Sequence, residues 1–398
     1  MSGPQNLDDL GDIAGRTALV RVDFNVPISE SGTIRDDTRL RSSLPTVTSL
    51  SNRGAVVLLL SHLGRPKGRR NAKYSLAPVA DAFSRILGRE VRFLDDWLNP
   101  SVNRALSALT AGDVALLENT RFYAGEENND PALARALAGI ADFFVNDAFS
   151  ASHRTHASTV GVANLLPSYM GRALQAELEA LQSALGRARH PSTAIIGGSK
   201  ISSKLDVLER LSAKVDHLVI GGAMANTFLA ATGNPIGKSL SEPELEDDAR
   251  RILKQARLLG CEVHLPRDVI VAQSLVSHPP SQRTIQVKHV AEDELILDLG
   301  PRSVGSILDV LRASRFLIWN GPLGAFETAP FDQSTLAVAR AAADLTEAGL
   351  LLSLAGGGDT VSALRKSELA AGLTHVSTGG GAFLEMVAGI PLPGLQVL

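Results

Sequence analysis

Cysteine is nearly absent: Cys261 is the only one among 398 residues. One thiol cannot close an intramolecular disulfide or assemble a cysteine-rich metal site, and its isolation points to a reducing compartment. A charge excess is missing too. The 39 Lys and Arg against 42 Asp and Glu leave a net charge of −3, so no overall basic field favours nucleic acid or an anionic membrane. Long apolar runs are lacking. Ala55–Leu60 and Leu350–Leu354 fall well short of the roughly 18 residues that suggest a membrane span. The start, MSGPQNLDDLG, has neither the basic region nor the apolar stretch of a secretory signal. Low-complexity tracts and short-period repeats are also missing. The expectation is a soluble, cytoplasmic protein with no nucleic-acid or membrane partner.

The chain has 44% hydrophobic and 20% charged residues, enough for a sizeable core. Its length suits two or three domains at about 150 residues each. Short apolar segments alternate with polar or glycine-rich turns and amphipathic stretches. Strands are expected at Ala18–Val22, Ala55–Leu60, Val114–Leu117 and Phe143–Val145, then at Thr193–Ile196, His217–Ile220, Phe316–Trp319 and Leu350–Leu354. Apolar runs without alternation fit strands covered on both faces. Helical patterns such as Lys204–Val215 and Glu244–Leu259 lie between them, so the fold class is α/β with parallel sheets covered by helices. Leu174, Leu178, Leu181 and Leu185 make 171–185 one helix, stopped by His190-Pro191. Two Rossmann-like domains joined by an inter-domain helix and hinge are expected.

In parallel sheets, ligands bind beyond the carboxyl ends of the strands, and there the two halves differ. In the first half those ends carry Arg21-Val22-Asp23-Phe24-Asn25, Ser61-His62-Leu63-Gly64-Arg65, Glu118-Asn119-Thr120-Arg121 and Asn146-Asp147, which runs on to His153-Arg154-Thr155-His156. Arg39 could join them. Converging guanidinium groups suit a small, multiply charged anion. Glu118 and Asp147 read as orienting partners for these arginines.

In the second half the ends are glycine-rich: Gly197-Gly198-Ser199-Lys200, Gly356-Gly357-Gly358-Asp359-Thr360 and Gly379-Gly380-Gly381. Glycine lets backbone approach a phosphate, and helix N-termini bind anions. Asp359 beside such a loop suits Mg²⁺ held jointly with nucleotide phosphates. One half gripping an anion and the other a nucleotide suggests phosphoryl transfer, which needs positioning and charge neutralisation more than acid–base chemistry.

Other patterns are set aside. Gly233–Ser239 resembles a phosphate-binding P-loop but is one residue short and follows a helix, Ala225–Ala231. His153 and His156 lack the partners of a zinc site. No GxGxxG follows the first strand, against a dinucleotide dehydrogenase. Cys261 reads as a small buried hydrophobe.

The stretches RVDFNVP (21–27), SHLGRP (61–66), LLENTRF (116–122), VNDAF (145–149), HRTHAS (153–158), IIGGSK (195–200), IWNGPLGAFE (318–327), GGGDT (356–360) and HVSTGGGA (375–382) together resemble the phosphoglycerate kinase family along nearly the whole chain. The resemblance implies reversible phosphoryl transfer between 1,3-bisphosphoglycerate and ADP, giving 3-phosphoglycerate and ATP, in glycolysis and gluconeogenesis. It implies a first domain over 1–170 that binds the glycerate, with 384–398 packing back on it. A helix and hinge follow over 171–189, then a Mg-nucleotide domain over 190–383, the whole acting as a monomer.

The resemblance also implies the site residues. Asp23, Phe24, Asn25, Arg39, His62, Leu63, Gly64, Arg65, Arg121 and Arg154 surround the glycerate, and Arg39 also stabilises the transferring group. Gly198, Lys200, Lys204, Asn320, Glu327, Gly357, Gly358, Asp359 and Thr360 hold the nucleotide. Within these, Glu327 takes the ribose and Asp359 the Mg²⁺. Gly379 and Gly380 open a helix that stabilises the transferring phosphoryl, alongside Lys200 and Lys204. Four positions depart from the family pattern. Ser203 stands where an Asp is usual and reads as the start of a capping box, Ser203-Lys204-Leu205-Asp206. Ile296 replaces a common Gly and is expected to reshape the base pocket. Ser150-Ala151 replaces Gly-Thr.

Overall fold

The computed structural model describes residues 4–29, 32–99 and 102–398; the first three residues of MSGPQNLDDLG lie outside this range. The chain forms two compact units, Met1–Glu179 with Pro391–Leu398, and Ala180–Ile390. The helix Arg172–Gly186 carries the chain from one to the other. Of the tail stretch 384–398, residues 384–390 belong to the second unit and the rest to the first.

The first unit is built on six strands: β1 (Thr17–Arg21), β2 (Val56–Leu60), β3 (Val91–Leu94), β4 (Val114–Leu117), β5 (Phe143–Asn146) and β6 (Ser168–Met170), in the order β3-β4-β2-β1-β5-β6, with every pair parallel. Alternation along β1 sends Ala18 and Val20 into one apolar core and Leu19 into another on the opposite face. Helices Leu44–Asn52 and Ala77–Leu87 cover the first core through Val47, Leu50, Val79 and Phe83. Helix Pro131–Ala138 covers the second through Leu133 and Leu137. It begins sharply because Asp130 accepts from Ala132 and Leu133 N–H, both at 2.9 Å, with Pro131 at the first position.

The second unit repeats the plan with β7 (Ser192–Ile196), β8 (His217–Ile220), β9 (Glu262–His264), β13 (Phe316–Asn320), β14 (Leu352–Gly356) and β15 (His375–Ser377), ordered β15-β14-β13-β7-β8-β9 and parallel throughout. Between β9 and β13 the chain adds an antiparallel sheet that the parallel reading did not anticipate: β10 (Asp268–Ala272), β11 (Arg283–Gln286) and β12 (Leu295–Leu299). Its outer strand β11 is largely exposed, so no continuous apolar run marks it. Strands β3, β6, β9 and β15 also escaped the sequence reading, because they are three or four residues long and only partly buried.

Parallel pairing brings the carboxyl ends of all six strands in a unit to one edge of its sheet. Arg21, Leu60, Leu117 and Asn146 end neighbouring strands in the first unit, and Ile196, Asn320 and Gly356 in the second.

Candidate active site

In the first unit, four arginines bear on one buried imidazole. His62 is 9% exposed. Burial first, then the charges of Arg21, Arg121, Arg154 and Arg39, hold its pKa well below the ordinary 6.5, so it is neutral at pH 7. Arg21 Nη2 lies 3.0 Å from His62 Nδ1. A guanidinium can only donate, so Nδ1 accepts and the imidazole proton sits on Nε2. Arg21 is itself 1% exposed. Its Nε donates to Ser158 Oγ at 3.1 Å, and Ser158 N donates to the fully buried Glu126 at 3.0 Å. A buried cation therefore faces a buried anion across one serine, and the network fixes the tautomer of His62. The sequence pattern placed Arg21 among the strand-end cations without this buried role, and gave no role to Ser158 or Glu126. The available signal was a charge closing an apolar strand covered on both faces, where an unpaired guanidinium would be costly.

Around His62 the other expected residues form a latch. Arg39 Nη1 pairs with Asp23 Oδ2 at 2.8 Å and donates to Asn25 O at 3.1 Å. Ser150 Oγ also donates to Asp23 Oδ2, so one of the positions that departs from the family pattern touches the site. Asn25 Oδ1 accepts from Gly64 N at 3.0 Å, while Gly64 O accepts from Arg121 Nη1 at 2.8 Å. Arg121 Nε is 3.0 Å from Glu127 Oε1. Burial, followed by the nearby Arg154 charge, lowers its pKa to about 10, leaving it charged at neutral pH. Arg154 is half-buried and Arg65 exposed. His153 and His156 fall to about 4 and about 3, in each case mainly by burial and then by neighbouring arginines. The cationic character of this set is therefore carried by guanidinium groups.

Several expectations change. The Phe24 ring is fully buried, with its centroid 4.9 Å from that of Phe83, and its N–H is taken by Ser61 Oγ at 2.9 Å. Leu63 packs in the core, and its N and O both bond the Asn119 side chain. Both shape the loops from beneath. Glu118 does not orient an arginine; it accepts from Leu76 N at 2.8 Å and Ser75 Oγ at 2.7 Å, anchoring the start of helix Ala77–Leu87. Asp147 caps helix Arg172–Gly186, accepting from Ala173 and Leu174 N–H at 2.8 and 3.2 Å. Burial raises its pKa to about 7.

The second unit holds a cavity of about 370 Å³. Leu240, Leu275, Leu295, Ile296 and Leu297 form an apolar side, while Gly198, Glu327 and Asp359 are polar markers on its wall. Ile296 thus lines the cavity, its N–H held by Ser239 Oγ at 2.8 Å. Lys204 reaches across the glycine loops: Nζ donates to Gly197 O and Asn320 Oδ1, both at 2.7 Å. Asn320 Nδ2 in turn donates to Gly356 O at 2.8 Å. Burial lowers the Lys204 pKa to about 8, against the raising effect of Asp359. Asp359 is exposed in the first turn of helix Gly358–Lys366, whose N-cap is Gly357, so its carboxylate does not cap. Thr360 is buried, with Oγ1 accepting from Gly321 N at 2.6 Å. Lys200 is exposed.

Two glycines here are fixed by space. A Cβ on Gly197 would stand 2.0 Å from Pro322 O, and Gly357 has φ +104° with Asn320 Nδ2 2.8 Å from a built Cβ. Gly379 and Gly380 precede helix Gly381–Ala388. The capping box at Ser203 does not form. Helix Leu205–Ser212 is preceded by Lys204, and Ser203 Oγ donates backwards to Lys200 O at 3.0 Å. The P-loop-like stretch follows helix Met224–Ala231, as a true phosphate loop does not.

Guanidinium groups in one unit, and glycine backbone with an ammonium in the other, suit anions. That arrangement suits a phosphotransferase of the kinase class on two parallel α/β units. The family model for phosphoglycerate kinase matches residues 7–390, and the chain belongs to that family. The phosphoglycerate kinase of Rhizorhabdus wittichii is 57% identical over 394 residues, covering 99% of each chain. That of Zymomonas mobilis is 55% identical over 394 residues, with the same coverage. Among solved structures, the phosphoglycerate kinase of Coxiella burnetii is 39% identical with TM-score 0.82, covering 99% of this chain and 98% of that one. The enzyme is a glycolytic kinase, moving a phosphoryl group between 1,3-bisphosphoglycerate and ADP. Among the described residues, no helix is long and apolar enough to cross a membrane.

Proposed function

We propose that the first unit holds the glycerate and the second the Mg-nucleotide. The observation that carries this is the set of four guanidinium groups acting on neutral His62. Arg39 and Arg121 are held in place by Asp23 and Glu127, and guanidinium groups so placed favour bidentate capture of a phosphate or carboxylate. Arg39, Arg65, Arg121 and Arg154 grip the substrate's phosphate and carboxylate. Asp23 and Asn25 take its hydroxyl, and His62 offers its Nε2–H.

In the second unit the apolar side of the cavity takes the base and Glu327 the ribose. Gly198, Gly357 and Gly358 let the phosphates approach backbone, with Lys200, Lys204, Asn320 and Thr360 around them. An exposed carboxylate on the cavity wall suits Mg²⁺ shared with phosphate oxygens. Asp359 would hold the ion, which when bound supplies charge neutralisation.

In the direction of ATP consumption, a carboxylate oxygen of 3-phosphoglycerate forms a bond to the γ-phosphorus as the bond to the β–γ bridging oxygen breaks, releasing ADP. The nucleophile is already an anion, so no general base is required. Arg39, Lys204, Lys200 and the backbone at Gly379 and Gly380 neutralise the transferring group. Because the acyl phosphate would hydrolyse in water, the reading includes a hinge at 171–189 that brings the two ligands together and excludes solvent. The enzyme is read as a cytoplasmic monomer.

A coupled assay with 3-phosphoglycerate, ATP and Mg²⁺ tests the reading. Formation of 1,3-bisphosphoglycerate that stops on chelation of Mg²⁺ is expected; its failure to form would overturn the assignment.

A further inference from the structure

We propose that His217, Glu262 and His264 form a binding site for a divalent transition-metal ion of the zinc, cobalt or nickel type, at the edge of the second unit's sheet. The three residues come together through strand register. In the parallel pair β8/β9, His217 lies opposite Glu262 and Val219 opposite His264. Period-two alternation then places all three side chains on one face. Their ligand atoms form a triangle: His217 Nδ1 to His264 Nε2 is 3.1 Å, His217 Nδ1 to Glu262 Oε2 3.6 Å, and His264 Nε2 to Glu262 Oε2 4.0 Å. Bonds of about 2.0–2.2 Å in a tetrahedral zinc site place ligand atoms about 3.3–3.6 Å apart. The triangle therefore closes on an ion with shifts of a few tenths of an ångström.

The chemistry of the donors agrees. Two imidazoles and one carboxylate suit zinc, cobalt or nickel better than magnesium, which prefers oxygen ligands and keeps its waters. The imidazoles are mostly buried while Glu262 is 66% exposed, so the carboxylate is free to move and solvent reaches the site. The positive charge of Arg267 acts on His264 and opposes a cation, so the expected affinity is moderate.

The thiol of Cys261 is not a ligand. It precedes Glu262, alternation turns it to the other face, and it is buried with its pKa pushed up to about 11. A cavity of about 300 Å³ runs beside the cluster, lined by Glu262, His264 and Asn234, giving room for water as remaining ligands. None of the three residues lines the nucleotide cavity. A bound ion would tie the three-residue edge strand β9 to β8, so its expected consequence is metal-dependent stability.

The test uses the full-length, tag-free protein stripped with a chelator, titrated with Co²⁺ or Zn²⁺ at pH 7.5 by calorimetry. One ion per chain with micromolar affinity is expected, with a visible d–d band for Co²⁺ and little competition from excess Mg²⁺. His217→Gln and His264→Gln should each weaken binding by more than the roughly tenfold that loss of even an outer-shell partner costs. Phosphotransfer by the metal-free variants should be unchanged. Zn²⁺ should raise Tm of the native protein in step with the logarithm of its concentration. Should a histidine variant fail to fold, the exposed Glu262→Gln supplies the same comparison. Absence of binding, or equal binding in the variants, would leave only a hydrogen-bonded histidine pair and overturn the proposal.

Discussion

Replacing Lys204 by Met should separate what the lysine does for stability from what it does for the nucleotide. The folded pKa of about 8 lies below the ordinary 10.5. At about 1.4 kcal/mol per pH unit, holding the ammonium charged in its buried position costs about 3 kcal/mol at neutral pH. Between pH 8 and 10.5 the unfolded chain binds more protons than the folded one, so this part of stability rises as pH climbs through that window. Methionine removes the cost but leaves Gly197 O and Asn320 Oδ1 without their donor, a loss of about 1–3 kcal/mol each. The two effects largely cancel, and unfolding in urea at pH 7 should change by no more than about 3 kcal/mol. Turnover, by contrast, should fall by about 10²–10³, as when one charge-stabilising donor is lost.

The same lysine predicts a proton uptake. Nucleotide phosphates beside Nζ restore its charged form, so ATP binding at pH 9 should take up close to one proton and at pH 7 almost none. Calorimetry in buffers of different ionisation enthalpy reads this directly. No uptake at pH 9 in the native protein, or equal uptake in Lys204→Met, would refute the assignment of Lys204 to the phosphates.

Arg39→Ala should lower kcat at least about 10²-fold, with a milder effect on nucleotide affinity; steady-state kinetics with unchanged turnover would exclude its role. Arg21→Met leaves Glu126 buried without its cation and should destabilise the protein by about 3–5 kcal/mol in urea titration; a change below about 1 kcal/mol would mean the network carries no charge coupling. His62, His153 and His156 have folded pKa values below 6.5, so the unfolded state binds more protons as pH falls below 6.5. Their contribution to stability is complete above that value and is lost on acidification toward about 3 to 4. Tm measured from pH 7 to 4 should decline with a slope of two to three protons, and replacing His156 by Gln should make it shallower.

The sequence by itself determined the α/β architecture and the residue types that gather at the strand ends. Apolar runs such as Val56–Leu60, buried at every position, leave only strands covered on both faces, and such strands deliver their final residues to one edge. The residue types waiting there, arginines in one half and glycines in the other, were therefore legible as an anion site and a nucleotide site. Tertiary structure decided which groups are free. Glu118 and Asp147 cap helices instead of steering arginines, Phe24 turns inward, and Ser203 reaches back to Lys200. Partners for Glu118, Asp147 and Phe24 come from residues distant in sequence, and local pattern does not encode them. The same is true of Arg21, whose charge is tolerable only because Ser158 and Glu126, more than a hundred residues along the chain, fold beneath it. His217 and His264 meet only because parallel register aligns two short strands. Local period sets the direction of a side chain; its charge and accessibility depend on contacts that exist only once the chain has closed.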